Sequence, residues 1–161
     1  MKHILCILFL TVIGFISGVI FMIYRCGYIL ELKQKKLNKY FSYFNFLDSL
    51  LICKERNYKL RDYFDENNIE TVAIYGMGKI GKHLKYELDK MGIKIAYVID
   101  EGDSGIYCKE EHYNLRDDLP LVDVVIVTVI DEFEDIKNKL MDNNKMLKVV
   151  SIDNILEYWF K

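Results

Sequence analysis

The sequence predicts an α/β fold, a small parallel sheet with crossover helices, preceded by one transmembrane helix and an amphipathic linker helix. Three observations predict it. Residues 4–24 contain no charged side chain and are dominated by Ile, Leu, Val, Phe and Met. A glycine-rich turn, Gly76-Met77-Gly78-Lys79-Ile80-Gly81, joins an apolar run that begins at Thr71 to a helical pattern. Residues 122–130 are almost continuously β-branched, the pattern of a central parallel strand buried on both faces.

The apolar N-terminal stretch matches the roughly 20 residues that cross a bilayer core. Lys2 supplies the small basic region of a secretory signal, but the stretch is long for a signal core and no small-residue cleavage site follows it, which favours an uncleaved anchor. Lys2 stands before the span, against Arg25, Lys33, Lys35, Lys36 and Lys39 after it. By the positive-inside rule this is a single-pass inner-membrane protein with its N-terminus outside and its C-terminal part in the cytoplasm. The expected divisions are 1–26 as the anchor, 27–68 as a helical juxtamembrane linker and 69–161 as the α/β domain. The net charge of −2 is unevenly spread, basic just after the span and acidic later. The basic cluster suits anionic headgroups, and no basic stripe with interleaved aromatics points to nucleic acid.

Residues 30–68 contain neither Pro nor Gly and read as one long helix or two in succession. Leu37, Tyr40, Phe44, Leu47 and Leu51 repeat at spacings of three and four, and Phe41, Tyr43, Phe46 and Leu50 widen the stripe. That is too much apolar surface to leave in water. It is expected to pack on the chain's own domain, lie in the bilayer interface, self-associate through residues 37–51 or dock to a membrane enzyme. Two heptads are thin support for a coiled coil. The polar, Asn-containing stretch 62–68 marks the boundary before the first strand.

The glycine spacing carries the chemistry. Gly76 makes the tight turn off the strand, Gly78 lets backbone approach a pyrophosphate, and Gly81 lets helix and strand pack closely. The helix that follows presents free N–H groups and a positive dipole end to an anion. Ile80, Leu84, Leu88 and Met91 share one helix face, and Gly92 sits where a C-terminal cap glycine belongs. A second strand, 93–99, ends in Asp100-Glu101, the place of an acid that accepts hydrogen bonds from ribose hydroxyls. No Arg follows to receive a 2′-phosphate, so NAD, CoA or a nucleotide-sugar is favoured over NADP. These features together read as a minimal Rossmann-like domain.

Beyond Asp100 come a short strand near 105–108, a polar stretch through Asp117, Asp118, Leu119 and Pro120, the strand 122–130, and a helix with Phe133, Ile136 and Leu140 on one face. A last strand, 147–152, leads to a terminal helix whose Ile155, Leu156, Trp159 and Phe160 cover the sheet. Right-handed crossovers give the strand order 3-2-1-4-5 and open the ligand crevice between the first and fourth strands, with Thr128 beside the glycine loop. The predicted cofactor-binding set is Gly76, Met77, Gly78, Lys79, Ile80, Gly81, Asp100 and Thr128.

Other candidates are weaker. Lys79 and Lys82 reach phosphates or are solvated helix lysines. His83 is more often a surface residue than a general acid or base at such a position. Asp131, Glu132, Glu134 and Asp135 complement a helix N-terminus, and Met77 packs the loop. No Tyr-x-x-x-Lys pair follows the fourth strand, and Tyr158 has no Lys four residues on. Cys6, Cys26, Cys53 and Cys108 show no C-x-x-C spacing and no companion His, so neither a disulfide scaffold nor a metal site is expected. Cys26, at the membrane boundary, reads as an incidental thiol rather than a palmitoylation site. No catalytic residue is assigned.

Three segments carry a resemblance: Ala73 through Gly81, Tyr97-Val98-Ile99-Asp100, and Leu119 through Thr128. Over residues 69–156 the chain is similar to small Rossmann-like domains of bacterial surface-polysaccharide enzymes, among them the CoA-binding-like part of nucleoside-diphosphate-sugar epimerases and dehydratases and the N-terminal domain of sugar acetyltransferases. Potassium-channel regulatory domains share a similar turn and strand-end Asp. The resemblance implies a nucleotide site lined by Gly76, Gly78, Gly81, Asp100 and Thr128. It implies an accessory or regulatory role beside a membrane polysaccharide-biosynthesis enzyme, since no downstream catalytic domain is read here. A reductase- or epimerase-like subunit completed by a partner chain, and a non-binding membrane-tethered scaffold, are the alternatives.

Overall fold

In the computed structural model residues 2–101 and 109–158 are described. The chain divides into two compact units, Met1–Phe41 and Ser42–Lys161. The first consists of the greater part of α1 (Lys2–Glu55). α1 is long and apolar enough to cross a membrane, and none of its apolar window is buried in the protein. The hydroxyls of Thr11 and Ser17 donate to the carbonyls of Leu8 and Gly14 at 2.8 and 2.9 Å. Polar groups satisfied within one helix are what a lipid environment requires.

The second unit begins with the end of α1, followed by α2 (Leu60–Glu66), β1 (Thr71–Tyr75), α3 (Lys79–Met91), β2 (Lys94–Ile99), β3 (Glu111–Tyr113), β4 (Val124–Val127), a 3-10 turn (Ile130–Glu132), α4 (Phe133–Asn143), β5 (Val149–Ser151) and α5 (Ile152–Glu157). All pairings are parallel, in the order β3-β2-β1-β4-β5, the doubly wound arrangement that the sequence predicts. This is a Rossmann-like α/β domain.

Three helices stop in the same way. Asn57, Asn68 and Gly92 take left-handed backbone angles, φ 56°, 52° and 70°. In each case the next residue's N–H reaches back to the carbonyl five residues earlier: Tyr58 to Cys53, Ile69 to Phe64 and Ile93 to Leu88, at 2.9, 2.9 and 3.1 Å. These are Schellman turns, for which Gly and then Asn are best suited. The apolar residue after each of the last two turns, Ile69 and Ile93, is buried and anchors the chain as it enters the sheet.

Period-two alternation sorts the strands between two layers. Val72, Ile74, Val98, Val124 and Ile126 face α3, α5 and α2, where they meet Leu84, Leu88, Ile152, Ile155 and Phe64, with Phe46 of α1 at the margin. Ala73, Tyr75, Tyr97, Ile99, Val125 and Val127 face α4, where they meet Ile136 and Leu140. On that second face the β3–β4 connection contributes Leu115, Leu119 and Val122 without forming a helix. The phenol of Tyr97 donates to the Pro120 carbonyl at 2.7 Å and pins this connection. Burial, with Tyr113 nearby, pushes the Tyr97 phenol up to about 12.

Some boundaries differ from the sequence expectation. The fourth strand spans Val124–Val127 rather than 122–130. At its start the Asp123 carboxylate accepts from the Glu70 and Thr71 N–H groups and the Thr71 hydroxyl at 2.9, 2.7 and 2.9 Å; at its end Thr128 turns toward the glycine loop. The last strand is Val149–Ser151, and Ile152 already opens α5. The third strand runs over Glu111–Tyr113; the strand expected near 105–108 lies outside the described residues. So do Trp159 and Phe160, whereas Ile155 and Leu156 are buried as expected.

Hydrogen bonds from the Thr71 backbone, then the Glu70 backbone, then the Thr71 hydroxyl hold the Asp123 carboxyl below its ordinary value. A carboxyl depressed in the folded state stabilises fully above its unfolded pKa of about 3.9, and that contribution fades as pH falls through the folded value. Asp123→Asn is therefore expected to melt below wild type at pH 6, with the gap narrowing as the pH drops below about 4. Circular-dichroism melts across this range check it; a constant gap would show that the carboxylate's charge is irrelevant.

Candidate functional site

The glycine loop lies at the C-terminal ends of β1 and β4, the crevice where open α/β sheets place ligands. Gly76 has φ +88°, and a Cβ there would stand 2.8 Å from Val129 Cγ2 and 3.0 Å from Thr128 Oγ1. Gly81 is tighter still, because a Cβ would overlap the Gly76 carbonyl oxygen. Both positions demand glycine, one for backbone conformation and both for close approach. Gly78 is different. Its φ is −67°, it is the N-cap of α3, and a Cβ there would meet nothing within 4 Å. The three glycines thus divide into two that pack the loop and one that leaves its outer surface open.

The loop is braced from two sides. Met77 inserts its side chain into the core, 2% exposed, and donates its N–H to Asp100 Oδ2 at 2.8 Å. The Gly76 N–H donates to the Ile99 carbonyl at 2.8 Å, so both contacts tie the loop to the end of β2. From the β4 side Thr128, 4% exposed, shares its hydroxyl proton between the Gly76 carbonyl at 2.6 Å and the Tyr75 carbonyl at 3.1 Å. Its N–H also donates to the Tyr75 carbonyl, at 3.0 Å.

Beyond Gly78 no side chain caps α3. The first bond of the helix there runs from the Lys82 N–H to the Gly78 carbonyl at 3.1 Å, so the N–H groups of Lys79, Ile80 and Gly81 precede the intrahelical ladder. Lys79 and Lys82 are exposed beside them, while Ile80 turns toward the core margin. The structure thus brings all eight predicted residues into one loop and its supports. Gly78, Lys79 and the first N–H groups of α3 form its open face; Gly76, Met77, Gly81 and Thr128 form its foundation. Asp100 is half-buried at the edge. His83 lies a turn further along α3, exposed.

The surrounding field is negative. Tyr75, immediately before the loop, has its phenol pushed up to about 12, first by burial and then by the carboxylates of Glu101, Asp100 and Glu132. Asp131, Glu132, Glu134, Asp135 and Asp153 line a neighbouring cavity of about 310 Å³ at the ends of β4 and β5. Among the described residues no group of three or more metal-ligating side chains is gathered. A phosphate at the start of α3 would meet the helix dipole and two lysines, whereas added negative charge elsewhere would meet carboxylates.

Several contributors to the loop and to the fold around it carry little sequence signal. Val129 walls the loop through its position after a strand. Lys85 and Glu110 form a half-buried pair at 2.6 Å, with Glu110 Oε2 buried and unbonded among the described residues. Twenty-five residues separate the two, and only the fold brings them together. Asp123 is the second residue of the β-branched run 122–130, and a carboxylate near the start of an otherwise apolar strand is the available hint.

Gly81→Ala is expected to lower the melting temperature by at least about 4 °C, since backbone must move to admit the methyl and about 1 kcal/mol shifts a small domain by that much. Gly78→Ala should leave it within about 2 °C. Thermal denaturation of the two variants checks the contrast, and equal losses would contradict the division of roles.

Compared with known proteins, the chain matches no family model, no curated protein and no solved structure.

Proposed function

We propose that this protein is a membrane-anchored, cytoplasmic, nucleotide-binding module that takes a nucleoside diphosphate group at the start of α3. One observation carries the reading: the open surface at Gly78, where a Cβ meets nothing, adjoins the uncapped first turn of α3. A pyrophosphate placed there accepts backbone N–H bonds and lies at the positive end of the helix dipole, with Lys79 and Lys82 alongside. Asp100 stands where ribose hydroxyls are received. The carboxylates around Tyr75 disfavour a further phosphate, which supports NAD or a nucleotide-sugar over NADP or a triphosphate. CoA, whose adenosine carries a 3′-phosphate, ranks lower on the same ground. By resemblance of the glycine turn and strand ends, the role is accessory or regulatory, beside a membrane enzyme of surface-polysaccharide assembly, with α1 as the single span.

A non-binding scaffold is favoured by one observation, the Met77 N–H already taken by Asp100. A thermal-shift panel of NAD, NADH, NADP, CoA, ATP and UDP- and GDP-sugars separates the two. A ligand at 100 times its dissociation constant stabilises by about 2.7 kcal/mol, several degrees for a domain of this size. The expected result is a shift with NAD or one nucleotide-sugar class, lost in Gly78→Val, whose side chain occupies the open face without disturbing the core. Absence of any shift from the folded protein would leave the scaffold.

A further inference from the structure

The second unit also carries an apolar groove bounded by the end of α1, α2, α3 and α5. Two adjoining cavities, of about 230 and 610 Å³, share Leu47, Leu50, Leu60 and Leu156 as walls, with His83 and Glu87 also common to both. Together they fall within the range of small-molecule sites. The narrower part is mostly apolar, with Phe46, Ile80 and Ile152 added to those leucines, and Lys79, His83 and Glu87 on its wall. The wider part opens among cations, Lys54, Lys59 and Arg61, with Glu87 the one carboxylate on its wall.

The charges are not all alike. Arg61 is engaged by Asp65 at 2.7 Å and by the Met91 carbonyl. Glu87 is paired with Lys90 at 3.8 Å. Lys54 and Lys59 make no ion pair among the described residues. In a chain of net charge −2, this mouth is a local excess of positive charge opening onto a hydrocarbon-lined recess. Along α1 the groove runs from Tyr43 to Cys53, about 15 Å at 1.5 Å per residue. A helix about 10 Å across does not enter a recess of this volume; a single hydrocarbon chain does. An aqueous nucleotide would find few polar partners on these walls.

We infer that the groove binds a single-chain anionic lipid, its acyl chain along Leu47, Leu50 and Leu156 and its carboxylate or phosphate head at Lys54 and Lys59. The apolar body and the anionic head each match one part of the site. A chain whose own N-terminal helix is long and apolar enough to cross a bilayer has such lipids at hand. Lys79 and Ile80 border the narrower part, but the inference does not rest on nucleotide binding at the glycine loop, because the residues that would receive the head group belong to α1 and the α1–α2 turn.

The test uses the full chain reconstituted in phosphatidylcholine vesicles, with a trace of diazirine-bearing palmitate, lysophosphatidylglycerol or monoacylglycerol, photolysed and mapped by peptide mass spectrometry. Adducts are expected on residues 43–60 and 79–91 with the two anionic probes. They should fall about fivefold or more in the Lys54→Glu, Lys59→Glu double variant, the scale of losing exposed charge pairs, while the neutral monoacylglycerol adducts change less. Leu47→Trp, a substitution at a half-exposed wall residue, should reduce all three. Stronger labelling by palmitate would name a free fatty acid as the source, and stronger labelling by the lysophospholipid a membrane lipid. Labelling confined to residues 4–24, groove labelling indifferent to charge reversal, or an unlabelled groove in folded protein would each overturn the inference.

Discussion

The contact on which the rest of the domain depends is the approach of α3 to the end of β1 at Gly76 and Gly81. A single carbonyl, that of Gly76, lies against the first turn of α3 and accepts the Thr128 hydroxyl at 2.6 Å. No side chain fits between these elements, so the helix packs directly on the turn. That packing sets the direction of α3, brings Leu84 and Leu88 onto the sheet, and aims the helix N-terminus at the crevice. Met77 fixes the loop from below and Asp100 from the side. The loop is held firmly because its foundation is core, and Gly78, the exposed glycine of the three, lies outside that foundation.

The electrostatics of the domain follow from the same geometry. Parallel strands end together, so the acids that terminate β2 and follow β4 collect on one crest, with Glu101, Asp100 and Glu132 all acting on Tyr75. The start of α3 and its lysines are the counterweight. An anion placed at the start of α3 would meet the helix dipole and two lysines, and one placed elsewhere on this crest would meet carboxylates. The opposite balance holds at the groove beside α1, where lysines border apolar walls.

What was legible in the sequence was local. The glycine spacing, the apolar faces of α3 and α4, the Gly92 cap and the β-branched fourth strand each depend on residues within a few positions of one another, and the strand order follows from them by crossover handedness. Strand ends were less legible because they are set by distant partners: Asp123 is fixed by Thr71, and Thr128 is turned by the Gly76 carbonyl. The Lys85–Glu110 pair has no sequence signature. The end of α1 was readable in principle, since Asn57 is suited to a left-handed turn, but an Asn among the charged residues Lys54, Glu55, Arg56 and Lys59 is a faint mark beside a glycine. The division among the three glycines, two packed and one open, is set by neighbours distant in sequence, Thr128 and Val129.

The most direct measurement is a ¹⁵N–¹H amide titration of the protein with NAD and with UDP- and GDP-sugars, following the resonances of residues 76–82. A nucleoside diphosphate bound at the start of α3 should move the Gly78, Lys79, Ile80 and Gly81 amides in a saturable manner, with smaller changes at Asp100. Saturable shifts clustered elsewhere, or a glycine loop unmoved by every one of these ligands, would contradict the assignment of the loop as the binding site.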